Sequence, residues 1–382
     1  MIITNAYIHT MVSDDIKRGF IKIDQGKILS LGHMDNLNVK DDKFIDLDGK
    51  HIYPGFIDAH THVGMFENGL TFEGDDGNEA SDPSTPQLRA IDAVNPMDKC
   101  FNEALLAGVT CVITGPGSSN PIGGQFIAMK TYGTRVDDMI LKDPVCIKFA
   151  LGENPKTVYN EKNTSPCTRM ATSAIIREQL MKTKKYIIDK QDTDSSYDYD
   201  AKCEALIPLL KREIPAHFHA HRADDIFTAI RLANEFNIKY VIIHGTEGHL
   251  IANYLKDENC PVLSGPFLCD RSKPELSNLT PKSPGILSNS GVKTAIVTDH
   301  PVIPIQYLPL CAGLAVKEGM DMDNALKAIT INAAEICGID DRVGSIEVNK
   351  DADLVVFNDN PIDLMSSPEM VLCMGNVVFK AK

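Results

Sequence analysis

Residues 54–62 read Pro-Gly-Phe-Ile-Asp-Ala-His-Thr-His, and this stretch decides how the chain is expected to fold. The apolar run 53–57 predicts a short buried strand that delivers two histidines separated by one residue. Because side chains alternate faces along a strand, His60 and His62 point the same way and can hold one divalent metal ion. Polar, glycine-containing chain follows them, as it does where α/β enzymes place their chemistry. The pattern therefore predicts a metal site at a strand end.

The composition is that of a soluble globular protein of 382 residues, with 43% hydrophobic and 24% charged residues. A net charge of −14 without a basic stripe argues against nucleic acid and anionic membrane as partners. The ten cysteines form no C-x-x-C pair, and several lie in apolar runs, which suits a reducing cytosol. The start of the chain lacks the pattern of a signal peptide, and no stretch is long and apolar enough to span a bilayer. We therefore expect a cytoplasmic protein.

The two ends of the chain differ in pattern from the middle. Short β-type runs separated by turns occupy residues 1–53 and recur at 353–357 and 370–379, so both ends should build one small sheet domain. The middle alternates strands with helices, which favours an α/β fold with a parallel sheet closed into a barrel. A doubly wound sheet is the alternative, but no Gly-x-Gly-x-x-Gly motif supports dinucleotide binding. The stretch 115–124, rich in Gly, Pro and Ser, predicts either an active-site loop or a tight strand–helix connection.

One predicted strand of the middle region carries three histidines. Residues 216–221 read Ala-His-Phe-His-Ala-His, so the three imidazoles share one strand face. One ligand near the end of the strand is sufficient for a metal site, and we favour His219 for this role. His217 should then lie deeper in the barrel, and His221 should lie in the loop as a possible substrate contact.

Two more predicted strands end on residues of the types that commonly bind metal ions. Residues 240–244 are apolar up to His244, and residues 294–298 lead into Asp299. A single strand-end histidine is usually packed or hydrogen-bonded, and a single aspartate usually caps a turn. Their joint occurrence, in this order after the His-x-His pair, favours a shared metal site.

The strand near residues 145–151 leaves two alternatives for the remaining ligand. Its large apolar residues alternate and should meet helices, so Lys148 should point into the barrel. A buried lysine without a partner is costly, so Lys148 is either carboxylated by carbon dioxide, as an anionic bridge between two metal ions, or held in an internal salt bridge. Glu153, just beyond the strand, is either an ordinary carboxylate ligand or the acidic residue of a helix N-terminus.

The ligand pattern and the tail of the chain resemble the amidohydrolase superfamily, and imidazolonepropionase-like hydrolases within it. Residues 343–356 resemble that superfamily's return strand into its small β-domain, with Asn349 where many members have Gly. The resemblance runs from end to end and implies a (β/α)8 TIM-like barrel over residues 54–343. It also implies a β-sandwich domain made from residues 1–53 and 344–382. The residues that carry it are, in chain order, His60, His62, Lys148 or Glu153, His219, His244 and Asp299.

This resemblance also implies cofactors and a reaction. One or two divalent metal ions are expected, with zinc favoured; a carboxylated Lys148 would accompany two ions, and Glu153 one or two. The expected reaction is hydrolysis of a C–N bond in an amide, cyclic amide or dipeptide by metal-activated water. Asp299 would shuttle the proton, while the metal with His221 or His244 would polarise the carbonyl group.

Two other functions compete with C–N hydrolysis of an amide. Deaminases of nitrogen heterocycles in this superfamily carry a glutamate three residues after a histidine near the fifth strand, whereas this chain has His-Arg-Ala-Asp-Asp at 221–225. Deamination therefore ranks second, and an inactive scaffold ranks last because every ligand is retained. Arg222 and His300 are the candidate substrate-binding residues, although Arg222 also fits a solvated helix start and His300 a residue that orients Asp299. The expected partner is a small-molecule substrate, and only the family resemblance implies a homo-oligomer.

Overall fold

The computed structural model describes residues 1–38, 43–67, 71–192 and 197–382. The strands are, in chain order, β1 (Ile2–Ile8), β2 (Ile16–Asp24), β3 (Lys27–His33), β4 (Phe44–Asp46), β5 (His51–Pro54), β6 (Phe56–Thr61), β7 (Val109–Thr114), β8 (Ile122–Lys130), β9 (Ile140–Ala150), β10 (Ala216–Ala220), β11 (Tyr240–His244), β12 (Val262–Ser264), β13 (Thr294–Ile296), β14 (Leu354–Phe357), β15 (Met370–Cys373) and β16 (Asn376–Lys380). The helices are α1 (Lys99–Leu106), α2 (Val136–Met139), α3 (Glu153–Glu161), α4 (Arg169–Gln191), α5 (Ala201–Leu210), α6 (Ala223–Phe236), α7 (Ala252–Asp257), α8 (Ser283–Asn289), α9 (Leu308–Lys317), α10 (Met322–Ala328) and α11 (Ile331–Cys337). Within the described ranges, none of these helices combines the length and apolar character needed to cross a membrane.

The strands of the middle region form an eight-stranded sheet in the order β6 to β13. This sheet curls until its two edge strands approach each other, and backbone hydrogen bonds join the ends of β6 and β13. The amide of Asp299 donates to the carbonyl of His60 at 3.3 Å, and the amide of His62 donates to the carbonyl of His300 at 2.8 Å. The expected α/β barrel is therefore confirmed, and its closing seam carries the His-x-His pair.

One strand of the barrel departs from the regular (β/α)8 pattern. Strand β8 runs antiparallel to both β7 and β9, whereas every other neighbouring pair in this sheet is parallel among the described residues. Residues 115–121 therefore link two strands of a hairpin, so the strand–helix connection considered for this stretch is wrong. Strand β8 was not predicted from the sequence, because Gly123 and Gly124 resemble loop residues. At Gly124, with φ +143°, a Cβ atom would lie 2.8 Å from the backbone oxygen of Leu88.

The two faces of the barrel strands have the contents that the alternation predicts. Ile147 and Phe149 of β9 and Phe218 of β10 lie on the outer face, where they pack in one buried cluster with residues of α4, α5 and α6. Lys148 and His217 are fully buried on the opposite face and lie side by side in the parallel register of β9 and β10. The expected burial of Lys148 inside the barrel is thus confirmed.

Strands from both ends of the chain build the second sheet, in the order β16-β15-β14-β5-β1-β2-β3, with β4 paired to β1. The expected small β domain from both termini is confirmed, and its strands fall within residues 2–54 and 354–380. The exact division between the two domains, at residues 53/54 and 343/344, stays a prediction.

A buried ion-pair network connects the barrel to the C-terminal segment. The side chain of Lys130, at the end of β8, is 1% exposed, and its Nζ lies 2.9 Å from Asp351 Oδ2 and also pairs with Asp353. Arg342 contacts the same Asp351 carboxylate at 2.7 Å. Because both carboxylates are nearly fully buried, they depend on these cations for compensation of their charge.

Lys130→Met should therefore lower the free energy of unfolding by about 3–5 kcal/mol, since it leaves Asp353 as a buried charge without its cation. Urea denaturation followed by circular dichroism measures this change. Lys17→Met, on the exposed Lys17 of β2, is the matched control and should change the free energy by less than about 0.5 kcal/mol. Equal stability of the two variants would contradict a stabilising role for the network.

Candidate metal centre

Two histidines and an aspartate meet at the seam where the barrel closes. His60 lies in β6, His62 directly follows it, and Asp299 follows β13. Asp299 Oδ1 lies 3.4 Å from the Nε2 atoms of both His60 and His62. One potential ligand atom from each residue falls within 4.8 Å of the others, so the three can share one ion; we call them the first cluster.

A second group of three histidines faces the first cluster across the barrel mouth. His219 lies in β10, His221 directly follows that strand, and His244 is the last residue of β11. The parallel register pairs Ala220 with His244, which places the neighbouring imidazoles around one point. Their ligand atoms also lie within 4.8 Å of one another, and we call them the second cluster. The His60 and His244 ring centroids are only 5.6 Å apart, so the two clusters adjoin.

Hydrogen bonds fix the orientation of two imidazoles in the way that metal sites require. His62 Nδ1 lies 2.6 Å from the carbonyl oxygen of Gly115, and His244 Nδ1 lies 2.7 Å from that of Gly265. A carbonyl oxygen can only accept, so each Nδ1 carries the proton and donates it. In the neutral imidazole, Nε2 then presents a lone pair to the cluster, as in histidines that bind metals. The donor set therefore fits one or two divalent ions.

Burial favours the neutral form of four imidazoles in the two clusters. It lowers the pKa values of His60, His219 and His221 well below the ordinary value, and it lowers that of His244 to about 4. A neutral imidazole is the form that binds a metal ion. For Asp299, burial alone would raise the pKa, but the neighbouring His244, His60 and His62 hold it well below its usual range. The carboxylate is thus anionic at neutral pH.

Two of these residues have backbone conformations that few side chains adopt. His244 has φ +71° and Asp299 has φ +55°, both in the left-handed region. Such conformations are uncommon outside glycine and occur where the surrounding structure enforces them, often at functional sites. Here they turn two strand-end side chains into the clusters.

Lys148 reaches the first cluster from inside the barrel. Its Nζ lies 3.0 Å from His60 Nε2, and the side chain is fully buried. Burial lowers the pKa of this lysine to about 8. Within the described part of the chain no carboxylate forms an ion pair with Lys148, so the internal salt bridge considered from the sequence is not observed there.

Glu153 stands at the first position of α3 but lies outside both clusters. Its carboxylate Oε2 accepts a hydrogen bond from the amide of Glu275 at 3.4 Å, while Glu275 Oε2 accepts one from the amide of Glu153 at 3.0 Å. Glu275, in a short turn after β12, is 1% exposed, and its Oε1 lies 3.6 Å from His221 Nε2. The buried carboxylate beside the second cluster is therefore Glu275, which sequence reasoning missed because Lys-Pro-Glu at 273–275 looks like an ordinary turn.

The remaining predicted residues lie around the clusters. His217 is fully buried below them, and neither ring nitrogen has a hydrogen-bond partner among the described residues. Arg222 is 45% exposed and forms two hydrogen bonds of 3.0 Å with Asp224. His300 is buried, and its Nδ1 accepts a hydrogen bond from the amide of Ile305 at 3.1 Å. The structure thus does not bring Arg222 or His300 into the clusters.

Asp58 supports the first cluster from the closing seam and was not singled out from the sequence. Its Oδ2 accepts hydrogen bonds from the hydroxyl and the amide of Thr298, at 2.6 and 3.1 Å. Its Oδ1 accepts one from the amide of His60 at 3.2 Å. Burial raises the pKa of Asp58 to about 7. This carboxyl group therefore ties the strand of His60 to the residue that precedes Asp299.

Asp58→Asn should lower the free energy of unfolding by about 1–3 kcal/mol, because the amide nitrogen must face a hydrogen-bond donor of Thr298 or His60. It should also weaken binding of the ion held by His60, His62 and Asp299. Urea denaturation and zinc titration measure the two effects. Thr298→Ser, which keeps the hydroxyl group, is the conservative comparison, and equal stability of both variants would contradict this role of Asp58.

The two clusters open into a cavity of about 400 Å³. His62, His219, His221 and Asp299 line its floor, and neither Arg222 nor His300 is among the described residues that line it. Polar groups line its walls, among them Asn78, Ser118, Asn154 and Lys273. A cavity of this size accommodates a small molecule.

The comparisons with known proteins agree on one family. The family model described as "Amidohydrolase family" matches residues 201–378. The crystal structure of an amidohydrolase from Thermotoga maritima MSB8 is 42% identical, with a TM-score of 0.96 and coverage of 100% of both chains. The amidohydrolase tasK of Hapsidospora irregularis is 28% identical over 94% of this chain and 40% of its own length.

Weaker curated matches carry the names of two different activities. An adenine deaminase of Clostridium acetobutylicum is 24% identical over 100% of this chain and 58% of its own length. An imidazolonepropionase of Geobacillus sp. (strain WCH70) is 23% identical, covering 96% of this chain and 91% of its own. The chain thus spans only 40% of tasK and 58% of the adenine deaminase.

Proposed function

The chain belongs to the amidohydrolase family, and on this premise we propose that it hydrolyses a C–N bond of a small amide, cyclic amide or dipeptide. The observation that carries the proposal is the meeting of two potential metal-binding clusters on the floor of one cavity. An isolated histidine pair would carry far less weight, because structural histidines are common. Five buried imidazoles with a carboxylate beside them form a donor set suited to divalent ions.

Within this proposal the two clusters hold the ions. His60, His62 and Asp299 would hold the first ion, and His219, His221 and His244 the second, with a carboxylated Lys148 as their shared anionic ligand. Zinc is favoured for this mixed set of imidazole and carboxylate ligands. When bound, such an ion supplies Lewis acidity toward a carbonyl group and lowers the pKa of water to about 7.

Side chains of the protein take part in the remaining steps of the reaction, which are proton transfer, stabilisation of the oxyanion and cleavage of the C–N bond. The Asp299 carboxylate accepts a proton from the attacking water, and the water oxygen bonds to the carbonyl carbon of the substrate. His221, whose Nδ1 lies 2.7 Å from the Thr246 hydroxyl, and His244 would act on the resulting oxyanion as ligands of the second ion, because the protonated Nδ1 of His244 leaves a lone pair on the Nε2 that faces the site. The C–N bond then breaks as Asp299 returns the proton to the leaving nitrogen.

The volume of the cavity supports the proposal of a small substrate. At about 400 Å³ it suits an N-acyl compound, a lactam-like ring or a dipeptide. Arg222 and His300 stay proposals as substrate contacts. For either residue to act in this way, the substrate would have to extend beyond the described lining of the cavity.

Asp299→Ala should abolish hydrolysis without unfolding the protein, because it removes both the proton shuttle and a ligand of the first ion. Initial rates on a panel of N-acyl amides, lactams and dipeptides measure the loss, and circular dichroism checks the fold. Asp341→Ala, at an exposed aspartate, is the control and should keep the wild-type rate. A fully active Asp299→Ala variant would contradict the proposed role of Asp299 as the proton shuttle.

Dialysis against a chelator should also remove activity, and zinc should restore it.

Carboxylation of Lys148 can be detected directly. The neutral amine adds to carbon dioxide and releases a proton, so zinc-loaded protein equilibrated with ¹³C-bicarbonate should show a carbamate carbon in its NMR spectrum. Lys148→Ala should lose this signal and the second ion, and a short carboxylic acid added at high concentration should restore part of the activity. Absence of the carbamate signal from wild-type protein carrying two ions would contradict the bridging role.

Deamination of a nitrogen heterocycle is the second candidate, and the similarity to an adenine deaminase favours it. It breaks a C–N bond with the same type of activated water but releases ammonia. Measuring ammonia release from aminated heterocycles, beside amine release from amides, distinguishes the two functions. The cavity and both clusters would serve either reaction.

A further inference from the structure

We propose that Glu275 is a ligand of the second metal ion, completing a site with His219, His221 and His244. The proposal rests on the proposed function, which requires metal ions in the barrel, and it deepens that function by adding a carboxylate from outside the predicted set. Glu275 lies in the turn after β12, so a third segment of chain joins the two that carry the three histidines.

The distances within this group match those between atoms that share an ion. Glu275 Oε1 lies 3.6 Å from His221 Nε2 and 3.9 Å from His219 Nε2. Zinc bonds of about 2.0–2.2 Å in a tetrahedral arrangement separate neighbouring ligand atoms by roughly 3.3–3.6 Å. The ligand atoms of the three histidines lie within 4.8 Å of one another. A small contraction around an ion therefore brings all four groups to bonding distance.

Burial and charge also call for a cation at this point. Glu275 is 1% exposed, and the three histidines are each 3% exposed. The cation beside the carboxylate in this structure is Lys273, whose Nζ lies 2.7 Å from Glu275 Oε1, with a side chain that is 27% exposed. The same Nζ donates to Asn154 Oδ1 at 2.8 Å. Because this ammonium is partly solvated at the cavity wall, it can withdraw as a metal ion takes its place.

The surrounding chain is shaped to hold Glu275 in this position. Glu153 and Glu275 each accept a hydrogen bond from the other's backbone amide, which locks the turn of Glu275 against the start of α3. Gly152, with φ +82°, leaves the space that the carboxylate uses. A Cβ atom at Gly152 would lie 2.8 Å from Glu275 Oε2. Glu153, the ligand predicted from the sequence, therefore serves to place Glu275 beside the second cluster.

The test is the affinity of full-length protein for each of two zinc ions, measured by competition with a chromophoric chelator and by metal content after gel filtration. Wild-type protein should bind two ions. Glu275→Gln, which keeps the size of the side chain, should keep the first ion and bind the second at least 10-fold more weakly. Lys273→Met removes the competing ammonium and should bind the second ion several-fold more tightly. Circular dichroism checks the fold of each variant.

Glu247→Gln is the matched control, because Glu247 lies in the loop after β11 and its carboxylate accepts from the amide of Ala223 instead of facing the clusters. It should bind both ions with wild-type affinity. Two ions bound by Glu275→Gln with wild-type affinities would overturn the proposal for Glu275 alone. Wild-type protein that binds no zinc would instead contradict the proposed function, so the two failures are distinguishable.

Discussion

Burial of polar groups at the barrel mouth is the constraint on which the site depends. Five imidazoles, a lysine and two acidic side chains share a small volume from which water is largely excluded. Burial favours the neutral form of His60, His219, His221 and His244, and a neutral imidazole has a lone pair available for a cation. The same burial leaves the carboxylates of Asp299 and Glu275 in need of positive charge. A divalent ion satisfies both requirements, so the cost of burying these groups is offset when metal binds.

The sequence made most members of both clusters predictable because their positions follow from local periodicity. His60 and His62 share a strand face, and His219, His244 and Asp299 each occur at or just beyond the end of an apolar strand. In a closed barrel these ends converge at one face, so strand pattern alone places the ligands near each other. The burial of Lys148 inside the barrel followed from the same alternation.

Other features depend on contacts that no local pattern records. Glu275 acts through a turn whose position is set by a reciprocal pair of hydrogen bonds with Glu153, more than a hundred residues earlier in the chain. Asp58 lies in an apolar strand, and its role in linking two strand ends depends on a hydrogen bond with the distant Thr298. Strand β8 was missed because its glycines resemble a loop, although the close approach of Leu88 explains Gly124. In each case the deciding partner lies far away along the chain.

The reversed direction of β8 has a consequence for the order in which the barrel can assemble. Strands β7, β8 and β9 form an antiparallel meander with short connections at 115–121 and 131–139, whereas the connection from β9 to β10 spans 151–215. The entropy lost on closing a loop grows with its length, so the meander forms at a lower entropic cost than the parallel pairing of β9 with β10. Local contacts of this kind favour rapid folding. The meander can therefore act as a nucleus: β10 and then β11 add at its β9 edge, which carries Lys148, and β6 adds at its β7 edge.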